Sequence, residues 1–246
     1  MALSDYKTAL VTGGSAGIGA ATVRALCAAG ITVYAAARRL ERLEELAAET
    51  GCIPLVLDVL DTDKIYAELG DMDVDIVVNN AGLGRAFDGF ETITPADIDL
   101  TIQTNVLAAM HVVRAVTPGM TARKRGHIVN IGSVAGLYPV NSIVYGASKG
   151  AVHLMSQNMR VELAGAGIRV TEVCPGRVGT EFFETAFADE AARKNFAEGY
   201  SILTPVDVAN SIAFALDTPW HVNIGLIEMT PLEQHLGGGK ITPVTR

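Results

Sequence analysis

The sequence lacks any apolar run near the roughly 18 residues that a membrane-crossing helix needs, so no membrane partnership is expected. Few residues precede the first apolar β-type run, Thr8–Thr12, which leaves no room for a cleavable export signal with a basic start and a long apolar stretch. Positive charge is also short. Against 27 Asp+Glu stand 19 Lys+Arg, a net charge of -8, which argues against phosphate-backbone binding and therefore against nucleic acid as a partner. The three cysteines, Cys27, Cys52 and Cys174, are odd in number and far apart, with no C-x-x-C pair and no Cys/His spacing suited to a metal. Buried free thiols in a reducing cytoplasm and no metal are the expectation. No Pro/Ser-rich linker, repeat or low-complexity stretch divides the chain, so residues 1–246 are expected to form one domain.

What is present is alternation. Short apolar runs at 8–12, 32–36, 53–57, 76–79, 127–131 and 169–174 are separated by helical patterns such as 17–29, 40–50 and 145–164. Near-continuous apolar strands divided by helices imply an α/β fold, a doubly wound Rossmann-type domain whose parallel sheet carries helices on both faces. Such sheets bind ligands beyond the carboxyl ends of their strands. The segment 223–246 fits this pattern least well and offers one last strand at 225–229 before a tail.

The first strand runs into Thr12-Gly13-Gly14-Ser15-Ala16-Gly17-Ile18-Gly19. Glycines there permit a tight turn and close approach of a pyrophosphate, and the following helix presents free N–H groups to it. The spacing is T-G-x-x-x-G-x-G rather than G-x-G-x-x-G. A Gly-rich turn alone would be merely a turn; placed between strand and helix it reads as a dinucleotide cradle. The second strand ends in Ala37-Arg38-Arg39, without the carboxylate that holds a ribose 2′-hydroxyl. Guanidinium groups suit a 2′-phosphate, so NADP(H) is the expected cofactor, although both arginines could equally be solvated at a helix start. Asp58, followed by Val59, stands where a side chain could meet adenine or cap the next helix.

Tyr145-Gly-Ala-Ser-Lys149 places a phenol and an ammonium one helical turn apart. Ser133 ends another strand, Asn105 lies in Gln103-Thr104-Asn105-Val106, and Asn79-Asn80-Ala81-Gly82 closes the fourth strand. In this order, with the glycine turn and with Pro175-Gly176 and Thr180 beyond, the chain resembles the short-chain dehydrogenase/reductase family from Thr8 to about Met229. Within it, Ala37-Arg38-Arg39, the stretch from Pro175 to Phe182 and the residues near Leu226 to Pro231 are similar to NADP-dependent 3-hydroxy acid (serine) dehydrogenases and to small-aldehyde or sulfoacetaldehyde reductases.

That resemblance implies an enzyme moving a hydride between nicotinamide and an alcohol or carbonyl carbon. It implies Tyr145 as acid/base, Ser133 and Lys149 beside it, and Asn105 holding a proton-relay water. Gly13, Ser15, Gly17, Ile18, Gly19, Arg38, Arg39, Asp58, Val59, Asn80, Ala81, Gly82, Tyr145, Lys149, Pro175, Gly176, Val178 and Thr180 are the expected cofactor contacts. A free phenol with pKa about 10 is a poor base, so Lys149 and an oxidised nicotinamide are expected to lower Tyr145. Ser133 would orient the substrate oxygen. The residues expected around a small-molecule substrate are Leu83, Val134, Tyr138, Ile143, Arg177 and Phe182. Arg177 there could grip an acid, pair with a surface carboxylate or touch the pyrophosphate. Segment 181–199 reads either as a cover over the substrate or as an ordinary amphipathic helix. The resemblance also implies a homotetramer or homodimer, with helices near 100–118 and 145–164 in an interface. Four rivals stand beside this reading: a reductase of neutral aryl or alkyl carbonyls, a structural or interaction protein, which would not need the glycine cradle, a non-catalytic NADP sensor, and an epimerase or dehalogenase. The last two usually lose members of the Asn105, Ser133, Tyr145, Lys149 set, and all four are intact here.

Overall fold

Each strand of the sheet is short, apolar and rich in residues that sit well on a pleated, buried surface. In the computed structural model, which describes residues 3–85, 90–182, 186, 200–236 and 240–244, seven such strands lie in one sheet. They are β1 (Thr8–Thr12), β2 (Thr32–Ala37), β3 (Ile53–Val56), β4 (Ile76–Asn79), β5 (Gly126–Ile131), β6 (Ile168–Pro175) and β7 (Leu226–Met229). Their order is β3-β2-β1-β4-β5-β6-β7 and every pairing is parallel. The expected runs match these strands to within about a residue at most ends; β6 is longer because it continues through Pro175.

Eight helices connect the strands among the described residues: α1 (Gly17–Ala28), α2 (Leu40–Thr50), α3 (Thr62–Leu69), α4 (Pro95–Ile102), α5 (Ala108–Arg123), α6 (Val134–Leu137), α7 (Ile143–Leu163) and α8 (Pro205–Leu216). Alternate residues of each strand feed opposite cores. Ala9 and Val11 of β1 pack with Val23 and Leu26 of α1, Leu43 of α2 and Ile212 of α8. Leu10, between them, packs on the other face with Ile65 of α3 and Val112 and Met120 of α5. Leu10, Leu26, Ile65 and Met120 are all fully buried, and each such side chain contributes roughly 1.5–3 kcal/mol. The central strands β4, β5 and β6 are buried throughout, whereas no residue of the edge strands β3 and β7 is fully buried. That half-exposed edge is why the last strand is faint in the sequence.

Two expectations change here. Cys27 is only partly buried, while Cys52 and Cys174 are buried; all three are free. The helical stretch near 100–118 is not one regular helix, because Gln103–Leu107 forms a π turn between α4 and α5, closed by Ala108 N–H donating to the Gln103 carbonyl. No helix among the described residues is long and apolar enough to cross a membrane.

Because β2 and β3 lie on one side of β1 and β4 to β7 on the other, connections leave in opposite directions at the β1/β4 boundary. That reversal opens a crevice at the carboxyl ends of the strands, where ligands bind in this architecture.

Candidate active site

The glycine turn sits at this crevice, and close packing explains its composition. Gly13 and Gly17 have φ of 65° and 52°, a left-handed backbone that favours glycine. A Cβ on Gly13 would lie 2.8 Å from Asn80 Nδ2, and one on Gly19 would overlap the Gly13 carbonyl. Asn80 Nδ2 donates to the carbonyls of Thr12 at 2.9 Å and Gly13 at 3.3 Å. The Thr12 hydroxyl accepts from Asn80 N and Ala81 N, both at 3.1 Å, and so ties the ends of β1 and β4 together. Ala16, at the N-cap of α1, supplies no side-chain acceptor, and the first turn carries no acidic residue. A helix N-terminus with free N–H groups at the floor of a glycine cradle fits a dinucleotide pyrophosphate. Ile18 packs against the core below the cradle.

At the adenosine end a third arginine joins the expected pair. Arg39 reaches the cradle, donating to Ser15 Oγ at 3.3 Å and pairing with Glu181 Oε2 at 3.3 Å. The second partner of Glu181 is Arg42, whose Nη1 lies 2.6 Å from Oε1. Arg42, one helical turn from Arg39, escaped notice in the sequence, though the i, i+3 spacing was the available signal. Arg38 is exposed. Asp58 does not cap α3. Its Oδ1 accepts from Leu60 N–H at 3.0 Å, and Asp61 is the cap, accepting from Lys64 N–H at 3.0 Å. Val59 follows, partly buried.

The reacting groups converge from four elements. Ser133 follows the end of β5 by two residues and caps α6, its Oγ accepting from Ala135 N–H at 3.1 Å. The same hydroxyl is hydrogen-bonded to the Tyr145 phenol. Lys149, buried one turn along α7, donates from Nζ to the Ile131 carbonyl at 2.7 Å and stands 6.0 Å from the centre of the Tyr145 ring. Asn105 lies inside the π turn. Its Oδ1 accepts from Leu83 N–H at 2.8 Å, while Nδ2 donates to the Leu83 carbonyl at 2.9 Å and to Ser148 Oγ at 3.0 Å. Gly82 fits between these groups; a Cβ there would lie 3.2 Å from Asn105 Oδ1 and 3.8 Å from Lys149 Nζ.

The expected lowering of Tyr145 by Lys149 and an oxidised nicotinamide has a counterweight in the chain itself. Burial pushes Tyr145 up to about 12, and the bond from Ser133 only partly offsets it. Burial likewise pulls Lys149 down to about 8. The chain alone thus holds a neutral phenol beside a lysine that sheds its proton more readily than a free one, because burial is the largest influence on each group. The Asn105 amide is held by Leu83 and Ser148, with both Nδ2 hydrogens donated and one bond accepted by Oδ1.

The loop after β6 closes the site. Gly176 N–H donates to the Met229 carbonyl at 2.8 Å, Arg177 N–H to Gln234 Oε1 at 2.8 Å, and Val178 pairs with Leu203 in a β-bridge. Pro175 ends β6, and a Cβ on Gly176 would lie 2.5 Å from Gln234 Oε1. Thr180 packs over the start of α1, where a Cβ on Gly17 would lie 3.1 Å from its Cγ2. The buried tail residues Glu233 and Gln234 support this loop, with Glu233 accepting from Ser201 N–H and Val244 N–H, both at 2.6 Å. No sequence signal pointed to them.

The substrate-side expectations divide. Phe182 covers Tyr145, with ring centres 5.4 Å apart, and Val134 is buried at the start of α6. Tyr138 donates to Glu228 on β7 at 2.9 Å. Ile143 is 61% exposed at the first position of α7, so the wall expected from it is open to solvent. The Arg177 guanidinium lies over the Tyr200 ring at 5.1 Å and donates to the Tyr200 hydroxyl. Of segment 181–199, only 181, 182 and 186 fall among the described residues, so the cover expected there lies largely outside them.

Comparison with known proteins places this arrangement. A family model described as short chain dehydrogenase matches residues 7–191. An NADP-dependent 3-hydroxy acid dehydrogenase of Escherichia coli (strain K12) is 38% identical over 239 residues, covering 93% of this chain and 96% of its own. An uncharacterized short-chain type dehydrogenase/reductase of Sinorhizobium fredii is 38% identical over 245 residues, 99% of each chain. Among solved structures, the closed form of a serine dehydrogenase complexed with NADP+ superposes with a TM-score of 0.90 at 38% identity, covering 97% of this chain and 99% of that one. With cradle, serine, tyrosine and lysine in place and the match running along most of its length, the chain belongs to the short-chain dehydrogenase family.

Proposed function

We propose that this protein is an NADP(H)-dependent oxidoreductase that interconverts a small 3-hydroxy acid, such as serine, or a related small alcohol with its carbonyl form. The observation that carries the reading is the bond between Ser133 and the Tyr145 phenol, one helical turn from buried Lys149, at the crevice floored by the glycine cradle. Gly13, Gly17 and Gly19 would admit the pyrophosphate, Arg39 and Arg42 the 2′-phosphate, and Thr180 and Val178 the nicotinamide end. NADP(H), when bound, donates or accepts the hydride. Tyr145 gives a proton to the substrate oxygen in reduction and takes it back in oxidation. Ser133 shares that oxygen and fixes its direction. Lys149 favours the phenolate through its charge, and the π turn around Asn105, which leaves a helix carbonyl without its regular partner, is the natural seat for a relay.

In this reading Arg177 is the cation that takes a substrate carboxylate, exchanging Tyr200 for it. The Tyr200 contact also favours a second reading, in which Arg177 is purely structural and the substrate is a neutral aryl or alkyl carbonyl. Exposed apolar side chains on α5 and α7 and at the turn before α5, Leu107, Met110, Leu154 and Val161, support association into a homodimer or homotetramer through these helices.

A panel of 3-hydroxy acids, small aldehydes and neutral aryl alcohols, assayed with both cofactors, tests the class. Arg177→Leu separates the two readings. Loss of a desolvated acid–guanidinium pair costs about 2–5 kcal/mol in kcat/KM on the acid alone. Equal losses on acid and neutral analogue sink the acid reading, and no turnover of any member sinks both.

A further inference from the structure

Behind Ser133 lies a buried ionisable group that the proposed reaction does not use. Glu172 of β6 is 1% exposed, and its Oε2 lies 2.6 Å from His153 Nδ1 on α7. Its Oε1 has no hydrogen-bonding partner among the described residues. The carboxylate is pressed against Gly132. A Cβ on that glycine would overlap Oε1 and lie 2.8 Å from Cys174 Sγ. Gly132 is the residue between Ile131, whose carbonyl holds Lys149 Nζ at 2.7 Å, and Ser133, which bonds the Tyr145 phenol. The carboxylate therefore packs on the glycine whose two chain neighbours contact Lys149 and Tyr145, and the missing side chain of Gly132 is what lets it approach.

Tyr145, Lys149 and His153 recur every four residues along α7, so they share the face that packs on β6. His153 continues outward to Gln157, with its Nε2 2.9 Å from Gln157 Nε2. The other charged or ionisable groups around Glu172 are accounted for element by element. On α7, Arg160 stands further along, its guanidinium against Gly225. On β6, Cys174 shares the face of Glu172, and burial, followed by the carboxylate itself, pushes its thiol far above the ordinary range, so it stays neutral. On β7, Glu228 is paired with Cys174 in register and accepts from the Tyr138 hydroxyl at 2.9 Å. The adjoining residues of β5 and its loop, Asn130, Gly132 and Ser133, carry no charge. Cys174 first and Glu172 second oppose the desolvation of Lys149, and with the thiol neutral Glu172 is the standing negative charge of the two.

We propose that Glu172 is a positioning residue: wedged behind Gly132 and clamped by His153, it supplies the buried counter-charge that keeps Lys149 an ammonium on the Ile131 carbonyl. The inference rests on Lys149 serving the proton chemistry of Tyr145. It also gives Gly132 a reason beyond its turn, since any side chain there would displace the carboxylate.

Glu172→Gln keeps the shape and removes the charge. Without the carboxylate Lys149 loses its proton at lower pH. The alkaline limb of kcat/KM for alcohol oxidation should move down by on the order of one pH unit. NADPH affinity, read by cofactor fluorescence without turnover, should decline over the same shifted range. Glu172→Asp retains the charge and should return the limb close to its wild-type position, even if the rate is lower. A Glu172→Gln limb that superposes on wild type overturns the proposal. So does a Glu172→Asp limb displaced by a full unit, which would assign the effect to packing; this second variant decides the matter alone if Glu172→Gln does not fold. Tyr145→Phe, measured alongside, separates the two levels. Retained activity in Tyr145→Phe removes the underlying acid/base assignment, whereas an inactive Tyr145→Phe with an unmoved Glu172→Gln limb removes only the counter-charge.

Discussion

Asn105 grips the main chain of Leu83 at both ends, accepting from its N–H at 2.8 Å and donating to its carbonyl at 2.9 Å. The third contact, to Ser148 Oγ at 3.0 Å, ties the same amide to α7. The π turn, the segment following β4 and the helix carrying Tyr145 therefore meet on one side chain, 2% exposed. Asn105→Ala leaves two main-chain groups of Leu83 without protein partners, at a cost of about 1–3 kcal/mol. Chemical denaturation should show that loss, and kcat should fall with it because α7 loses a tether. Wild-type stability in Asn105→Ala would mean that water replaces the grip without penalty.

The buried Lys149 should lower the stability of the fold. Its pKa falls from 10.5 to about 8 on folding, so below pH 8 the native state carries the full cost of a desolvated ammonium. Between about pH 8 and 10.5 the unfolded chain binds the extra proton, and unfolding free energy from this group rises with pH. The shift corresponds to about 3 kcal/mol. Lys149→Met should therefore unfold at higher urea than wild type at pH 7 and lose this part of the pH dependence, while activity disappears. A less stable Lys149→Met at pH 7 would show that the bond to Ile131 outweighs the burial.

Cofactor choice should depend on Arg39 and Arg42 together. Both reach Glu181, and Arg39 also reaches Ser15 at the cradle, so a 2′-phosphate entering between them meets two guanidinium groups and displaces a carboxylate. A charge-assisted contact is worth about 1.5–3 kcal/mol, so Arg42→Ala should weaken NADP+ by roughly ten- to a hundred-fold with little change for NAD+. Glu181→Gln removes a competitor in a half-exposed pair worth about 0–1 kcal/mol, and should tighten NADP+ by only a few-fold. Titration calorimetry with both nucleotides reads each effect. Equal weakening of NADP+ and NAD+ by Arg42→Ala would place that arginine away from the phosphate.

Legibility in the sequence followed the range of the forces involved. The strands and helices are written in local periodicity and in turn residues such as Gly13 and Gly17, whose φ values only glycine adopts easily, so they could be read without the fold. Tyr145 and Lys149 were legible because one helix carries both. The partners of Arg177 were not, since Tyr200 and Gln234 come from distant segments whose approach is set by packing. The direction of the Tyr145 shift was hidden for the same reason. A charge pair can be counted along a chain, but desolvation depends on what the whole fold places around the phenol, Phe182 among it.

That shift gives the two directions of the reaction opposite pH behaviour. With Tyr145 held up to about 12 by burial, the phenol is protonated throughout the neutral range and ready to donate to a carbonyl oxygen. Oxidation needs the reverse, a phenolate, whose fraction grows about tenfold for each pH unit below its pKa. Lys149 at about 8 remains an ammonium only up to that pH, and in the proposed mechanism its charge favours the phenolate. kcat/KM for carbonyl reduction should therefore be nearly flat from pH 6 to about 8 and fall beyond it. kcat/KM for alcohol oxidation should climb over the same interval and level off or turn down once Lys149 deprotonates. Tyr145→Phe should abolish both directions by several orders of magnitude while NADPH fluorescence titration stays close to wild type, because the phenol carries the proton and not the cofactor. Parallel profiles for the two directions, or a Tyr145→Phe variant within a few-fold of wild type, would exclude Tyr145 as the group that moves the proton.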